Sequence, residues 1–122
     1  MAKILSCLKK RDLLHSPNVA GDEIAQYGWE YFKQDRLVDA LDFFEKAKEL
    51  EGIRRIMERS IEEGDSFLLQ QTSKILKETV PEAVWRMVGE KALASGRVQQ
   101  ALMAFKTISD ENKIQEIQSL LK

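Results

Sequence analysis

From Ile24 onward the apolar positions recur three and four residues apart, the period of helices that bury one face. Ile24, Tyr27, Gly28 and Tyr31 define a first face, and Ala40, Phe44 and Ala47 a second. The pattern predicts helices over about 22–34 and 38–50, with Asp35-Arg36 as the turn between them and Glu51-Gly52 as the next break. Asp22 is placed to cap the first helix, and the charges of Asp22 and Glu23 suit the positive end of its dipole. A third helix is predicted over about 53–63, with Ile53, Ile56, Met57 and Ile61 on one side, and a fourth over about 66–78 carrying Phe67, Leu68, Ile75 and Leu76. Gly64-Asp65 separates these two, since glycine tolerates the left-handed conformation that ends helices; substitution there is expected to act only through turn strain. Val80-Pro81 opens a fifth helix, because proline costs least in a first turn. Ser95-Gly96 leads into a sixth that ends near Thr107, and a terminal helix follows from about Asn112 to Leu121.

Two of these helix pairs are copies of each other. Gly28 and Gly89, Ala40 and Ala101, and Phe44 and Phe105 all lie at one spacing of 61 residues. The later skeleton reads Trp85, Val88, Gly89 and Ala92, then Ala101, Phe105 and Ile108. A mid-helix glycine costs roughly 1 kcal/mol against alanine, a cost more readily borne where a neighbouring helix needs the room. Small residues at 40, 47 and 101 then mark the close crossing on the second helix, and Phe44 and Phe105 are the knobs beside it. The middle pair keeps the lengths and the turn but has Met57 in place of the glycine, and Leu69 and Ser73 in place of alanine and phenylalanine. After the same shift Ile114 and Ile117 stand where Ile53 and Ile56 do, so the terminal helix is expected to pack like the third. Repeat arrays use such an end unit to cover the last apolar face.

This arrangement resembles the tetratricopeptide repeat, with its W-x2-L-G-x2-Y pattern in a first helix and A-x3-F in a second. The resemblance implies an all-α fold of about seven helices: a short right-handed solenoid of antiparallel hairpins over about 21–50, 51–79 and 81–108, with a capping helix over about 111–122. It also implies a protein-interaction module or adaptor that holds a peptide or partner segment on the concave face. The alternative is a structural subunit of a larger assembly, whose open repeat ends stack on another copy. Light scattering at several concentrations distinguishes the two.

Composition narrows the classes. A chain of 122 residues suffices for one domain with a real core, and 43% hydrophobic with 32% charged residues fits a soluble helix-rich protein. The net charge of −1 gives no global field for nucleic acid. Residues 1–20 are locally basic, with Lys3, Lys9, Lys10 and Arg11 against Asp12, whereas 21–51 hold nine acidic groups. Ser16-Pro17-Asn18 ends any helix in that first segment, which reads either as a cap folded over the end of the stack or as a basic arm for a partner. The single cysteine, Cys7, excludes an internal disulfide and points to a reducing, cytoplasmic setting. Ile4-Leu5-Ser6-Cys7 looks like a lipoprotein cleavage box, but the apolar run before it falls short of the about 7–15 residues of a signal-peptide core. Nor does any later stretch approach the roughly 18 apolar residues of a membrane span.

Candidate chemistry is sparse. His15 is the only histidine, and a metal site built on it and Cys7 needs two further ligands. No glycine-rich phosphate loop is present, and the expectation is a protein without enzymatic activity or cofactor. Candidate contacts are therefore surface residues. Trp29 and Phe32 follow Gly28 but fall off its packing face, on the side that lines the groove in tetratricopeptide arrays. Paired aromatics there suit an interface anchor, or alternatively lie under residues 1–20. Arg54 and Arg86 stand three residues before Met57 and Gly89, again a groove position in the resembled family. Their guanidiniums suit a carboxylate, although Glu58 and Glu90, four residues on, are alternative partners within the helix. The candidate partner-binding set is thus Trp29, Phe32, Arg54, Glu58, Arg86 and Glu90.

Overall fold

The computed structural model describes residues 21–121, so the basic segment 1–20, with its cap or arm readings, lies outside the described residues. Among the described residues the fold is all-α, with helices α1 (Gly21–Lys33), α2 (Leu37–Ala47), α3 (Leu50–Glu63), α4 (Ser66–Leu76), α5 (Glu82–Ala94), α6 (Val98–Thr107) and α7 (Glu111–Leu120). The described residues fall into two compact units, 21–56 and 57–121, with the boundary inside α3.

The helix ends share one device. Asp35, Lys48, Gly64, Lys77, Gly96 and Ser109 all have φ between 56 and 77°. At each, the N–H of that residue and of the next fold back onto carbonyls of the preceding turn, as in Lys48 N–H to Glu45 O (3.2 Å) and Glu49 N–H to Phe44 O (2.9 Å). This Schellman arrangement satisfies carbonyls that the helix leaves open. The six residues form three pairs thirteen apart, offset by 29 and then 32 residues, so the middle helices carry the same backbone turns as the outer ones.

That pattern revises three boundaries. The second helix stops at Ala47, ended by left-handed Lys48 rather than by Glu51-Gly52. Gly52 instead lies in the first turn of α3. Likewise α4 stops at Leu76, ended by Lys77. Asp65 and Asp110 start the helices that follow them by accepting from the Leu68 and Lys113 N–H groups at 3.0 and 3.1 Å.

In the first unit the core is aromatic. Phe43 stacks on Tyr31 with centroids 5.3 Å apart and on Tyr27 at 5.7 Å, while the Arg36 guanidinium lies 4.9 Å over the Tyr31 ring. Phe44 is fully buried between two glycines. A Cβ added at Gly28 falls 2.6 Å from its Cε1, and one added at Gly52 falls 2.7 Å from three of its ring atoms. Both glycines exist to admit this ring.

The second unit repeats half of that device. A Cβ at Gly89 falls 2.8 Å from Phe105 Cε2, but the Lys113 ammonium, 5.7 Å from the Phe105 centroid, stands where Gly52 stands in the first copy. Ala92, Ala101, Leu102 and Phe105 pack with Ile114 and Ile117, so α7 closes onto the α5–α6 pair. A second cluster joins Leu69, Trp85, Val88 and Ala104, with Met57 and Ile61 against it. Gly64 is more than a turn residue: besides its positive φ, a Cβ there falls 2.6 Å from Lys91 Cβ. Arg97 Nη2 donates to Glu63 O at 2.5 Å and Lys91 Nζ to Glu62 O at 3.0 Å, placing two cations on the negative end of α3.

Candidate functional site

The candidate residues divide between the units, Trp29, Phe32 and Arg54 in the first and Glu58, Arg86 and Glu90 in the second. Trp29 and Phe32 sit one turn apart on α1, both half-buried, their rings edge-on at 5.6 Å and 72°. Trp29 also meets Phe44 edge-on, at 4.8 Å and 63°. Its ring is therefore anchored in the core on one side, which fixes its orientation and leaves Phe32 as its surface neighbour. The sequence pattern missed that contact because Trp29 lies next to Gly28 in the chain, and the absence of a side chain at Gly28 brings Phe44 close to α1.

Arg54 and Glu58 are both exposed, one turn apart on α3. On α5, Arg86 does not take its helical neighbour Glu90 as its hydrogen-bond partner: Nη1 donates to Asp110 Oδ2 at 2.5 Å. The Arg86 side chain is 43% exposed and that of Asp110 22%. Asp110 already accepts from the first turn of α7 through Oδ1, so one carboxylate caps a helix and holds a guanidinium. The Arg86 hydrogen bond, then that from the Lys113 N–H, keeps the Asp110 carboxyl below its ordinary range. Reciprocally, that hydrogen bond holds Arg86 more firmly protonated, and the charges of Glu82 and Glu90 add to it. Asp110 was absent from the candidate set; an aspartate three residues before Lys113 in a predicted first turn was the available signal.

Beside this pair lies an open groove of about 440 Å³, lined by Val80, Trp85 and Ile108 with Thr79, Thr107, Ser109 and Glu82. Buried Ser66 and Thr72 donate to backbone carbonyls, Ser66 to Gln100 O at 2.6 Å and Thr72 to Leu68 O at 3.0 Å. Among the described residues, no three His, Cys, Asp or Glu side chains group as metal ligands, and no helix is long and apolar enough to cross a membrane. The arrangement offers surface recognition chemistry: aromatic edges, guanidiniums and carboxylates on regular helices.

Among known proteins, no family model, no curated protein and no solved structure matches this chain.

Proposed function

We propose that the chain is a tetratricopeptide-like interaction module, an adaptor that holds a peptide or partner segment on the helix faces carrying Trp29, Phe32, Arg54, Glu58, Arg86 and Glu90. The observation that supports this reading is the repeated crossing, Gly28 against Phe44 and Gly89 against Phe105, within helices whose left-handed ends recur at matched positions. In repeat proteins such units stack into an extended solenoid with a concave face, and the first helix of each hairpin presents its outer residues there. Arg54-Glu58 on α3 and Arg86-Glu90 on α5 repeat the same residue types at the same spacing, and Trp29-Phe32 adds an aromatic anchor. A reducing, cytoplasmic setting accords with the single cysteine.

The test is affinity capture from native extract with wild-type chain and with a variant combining Arg54→Glu, Glu58→Lys and Glu90→Lys. All three side chains are exposed, so the melting curve is expected to hold while the captured partner is lost. Equal capture by both overturns the reading.

A self-associating subunit is the second reading, favoured by one observation: Leu120 and Leu121 at the end of α7 are 66% and 53% exposed. Light scattering at rising concentration separates it, because stacking through that end disappears in Leu120→Lys.

A further inference from the structure

A different surface, on α4 and α6, has a chemistry of its own. An open groove of about 480 Å³ is lined by Phe67, Gln99, Leu102, Met103, Lys106 and Thr107. Phe67 remains 47% exposed, a large ring left to water beside a methionine and a leucine. The wall is fixed, since buried Ser66, the neighbour of Phe67, donates to Gln100 O at 2.6 Å and ties the start of α4 to α6.

The two helices that carry this groove hold no acidic residue. Lys74 is the only charged residue in α4 and Lys106 the only one in α6, whereas each other described helix holds at least two carboxylates. With 20 acidic residues in the chain, two packed helices without any are the exception. Among the described residues no carboxylate pairs with Lys74 or Lys106, although Arg55, Arg59, Arg86 and Lys113 all have one.

We propose that this groove docks an acidic amphipathic segment of another protein. A leucine or aromatic side chain of that segment seats on Phe67, Leu102 and Met103, and an aspartate or glutamate beside it meets Lys106. Methionine adapts its shape to such a side chain, and a lysine at the rim steers an opposite charge and rejects a like one. Nucleic acid requires several cations spaced along its phosphates, and an anionic membrane a larger basic cluster; this groove wall carries one cation. None of the six residues of the proposed function lines the groove, so this inference stands apart from that reading.

The experiment is a random-peptide display selection against the intact chain, followed by anisotropy titration of the enriched peptides against wild type, Phe67→Ser and Lys106→Glu. Enrichment of peptides with Asp or Glu next to Leu, Phe or Trp is expected. Their affinity should fall about tenfold or more in Phe67→Ser, as for loss of an interface anchor worth more than about 1.4 kcal/mol. Lys106→Glu should weaken the acidic peptides and favour their lysine-substituted counterparts. Thermal melts of both variants control for folding, and Lys106, exposed at the helix end, keeps the test open should Phe67→Ser unfold. Peptides without acidic bias, or equal binding by all three proteins, overturn the proposal. So does self-association that Phe67→Ser abolishes without any peptide binding, which assigns the groove to a second copy.

Discussion

Alanine at Gly28 tests the packing most sharply, because two effects of known sign oppose each other there. In an open helix the change stabilises by about 1 kcal/mol through propensity. Here the new Cβ falls 2.6 and 2.7 Å from Phe44 Cε1 and Cδ1, and 3.3 Å from Phe43 Cβ. Phe43 Cβ is fixed to its backbone, so the Phe44 ring must move. Its exits are closed: a methyl at Gly52 falls 2.7 Å from the same ring, so its backbone already touches it, and Trp29 stands edge-on at 4.8 Å. Overpacking of a closed site costs about 1–3 kcal/mol, so after the propensity gain the net expectation for Gly28→Ala is a loss of up to about 2 kcal/mol, toward the upper end because the exits are closed. Gly89→Ala should cost less. Its Cβ meets Phe105 at 2.8 and 3.0 Å and Ala104 Cβ at 3.2 Å, but the Lys113 ammonium over that ring, unlike the Gly52 backbone, can swing away. Gly21→Ala, with nothing within 4 Å, serves as the control and should be neutral or slightly stabilising. Urea unfolding followed by circular dichroism gives the three values, read from the midpoints at unchanged slope. In a double-mutant cycle, Phe44→Leu should relieve part of the Gly28→Ala loss, with a coupling of about 1 kcal/mol. Should Gly28→Ala match the control, the ring is not locked and the reasoning fails.

Further expectations follow from the same geometry. Gly64→Ala should destabilise more than Gly96→Ala: both have positive φ, but only Gly64 has Lys91 Cβ at 2.6 Å, so the difference in urea midpoints isolates the clash from the turn strain. Asp110→Asn keeps a helix-capping side chain but removes the charge paired with Arg86. Because the folded carboxyl titrates below its unfolded value, the pair stabilises above about pH 4 and that contribution disappears as pH falls through the folded value. The melting difference between wild type and Asp110→Asn is accordingly expected at pH 7 and should vanish in acid; a constant difference contradicts the pairing. Ser66→Ala should cost about 1 kcal/mol in chemical unfolding by removing the hydrogen bond to Gln100 O, and a silent change contradicts it.

Much of the fold was legible because it is written in side-chain size. Glycine opposite phenylalanine at one repeated spacing identified the two close crossings, and the apolar period located every described helix. Helix ends were legible where glycine carried the left-handed turn, at Gly64 and Gly96, and also at the Asp35-Arg36 turn and near Thr107. Lys48 and Lys77 adopt the same conformation without a residue type that announces it, so the sequence pattern extends those two helices two or three residues too far. Gly52 misled in the opposite sense: a glycine chosen for space against Phe44 looks, in sequence, like a glycine chosen for a turn. At the candidate site, the helix position of Arg86 was legible but its partner was not. Pairing with Asp110 depends on how α7 packs on the α5–α6 pair, whereas Glu90 is simply the neighbour on the same helix.

The proposed partner runs along the helix faces that carry the candidate residues. Amide chemical-shift mapping of the labelled chain, titrated with the segment recovered by affinity capture, measures this directly. The expected result is a set of shifted signals at Trp29, Phe32, Arg54, Glu58, Arg86 and Glu90, with the Trp29 indole N–H among them. Shifts confined to other faces, such as those of Lys46 and Lys106, contradict it.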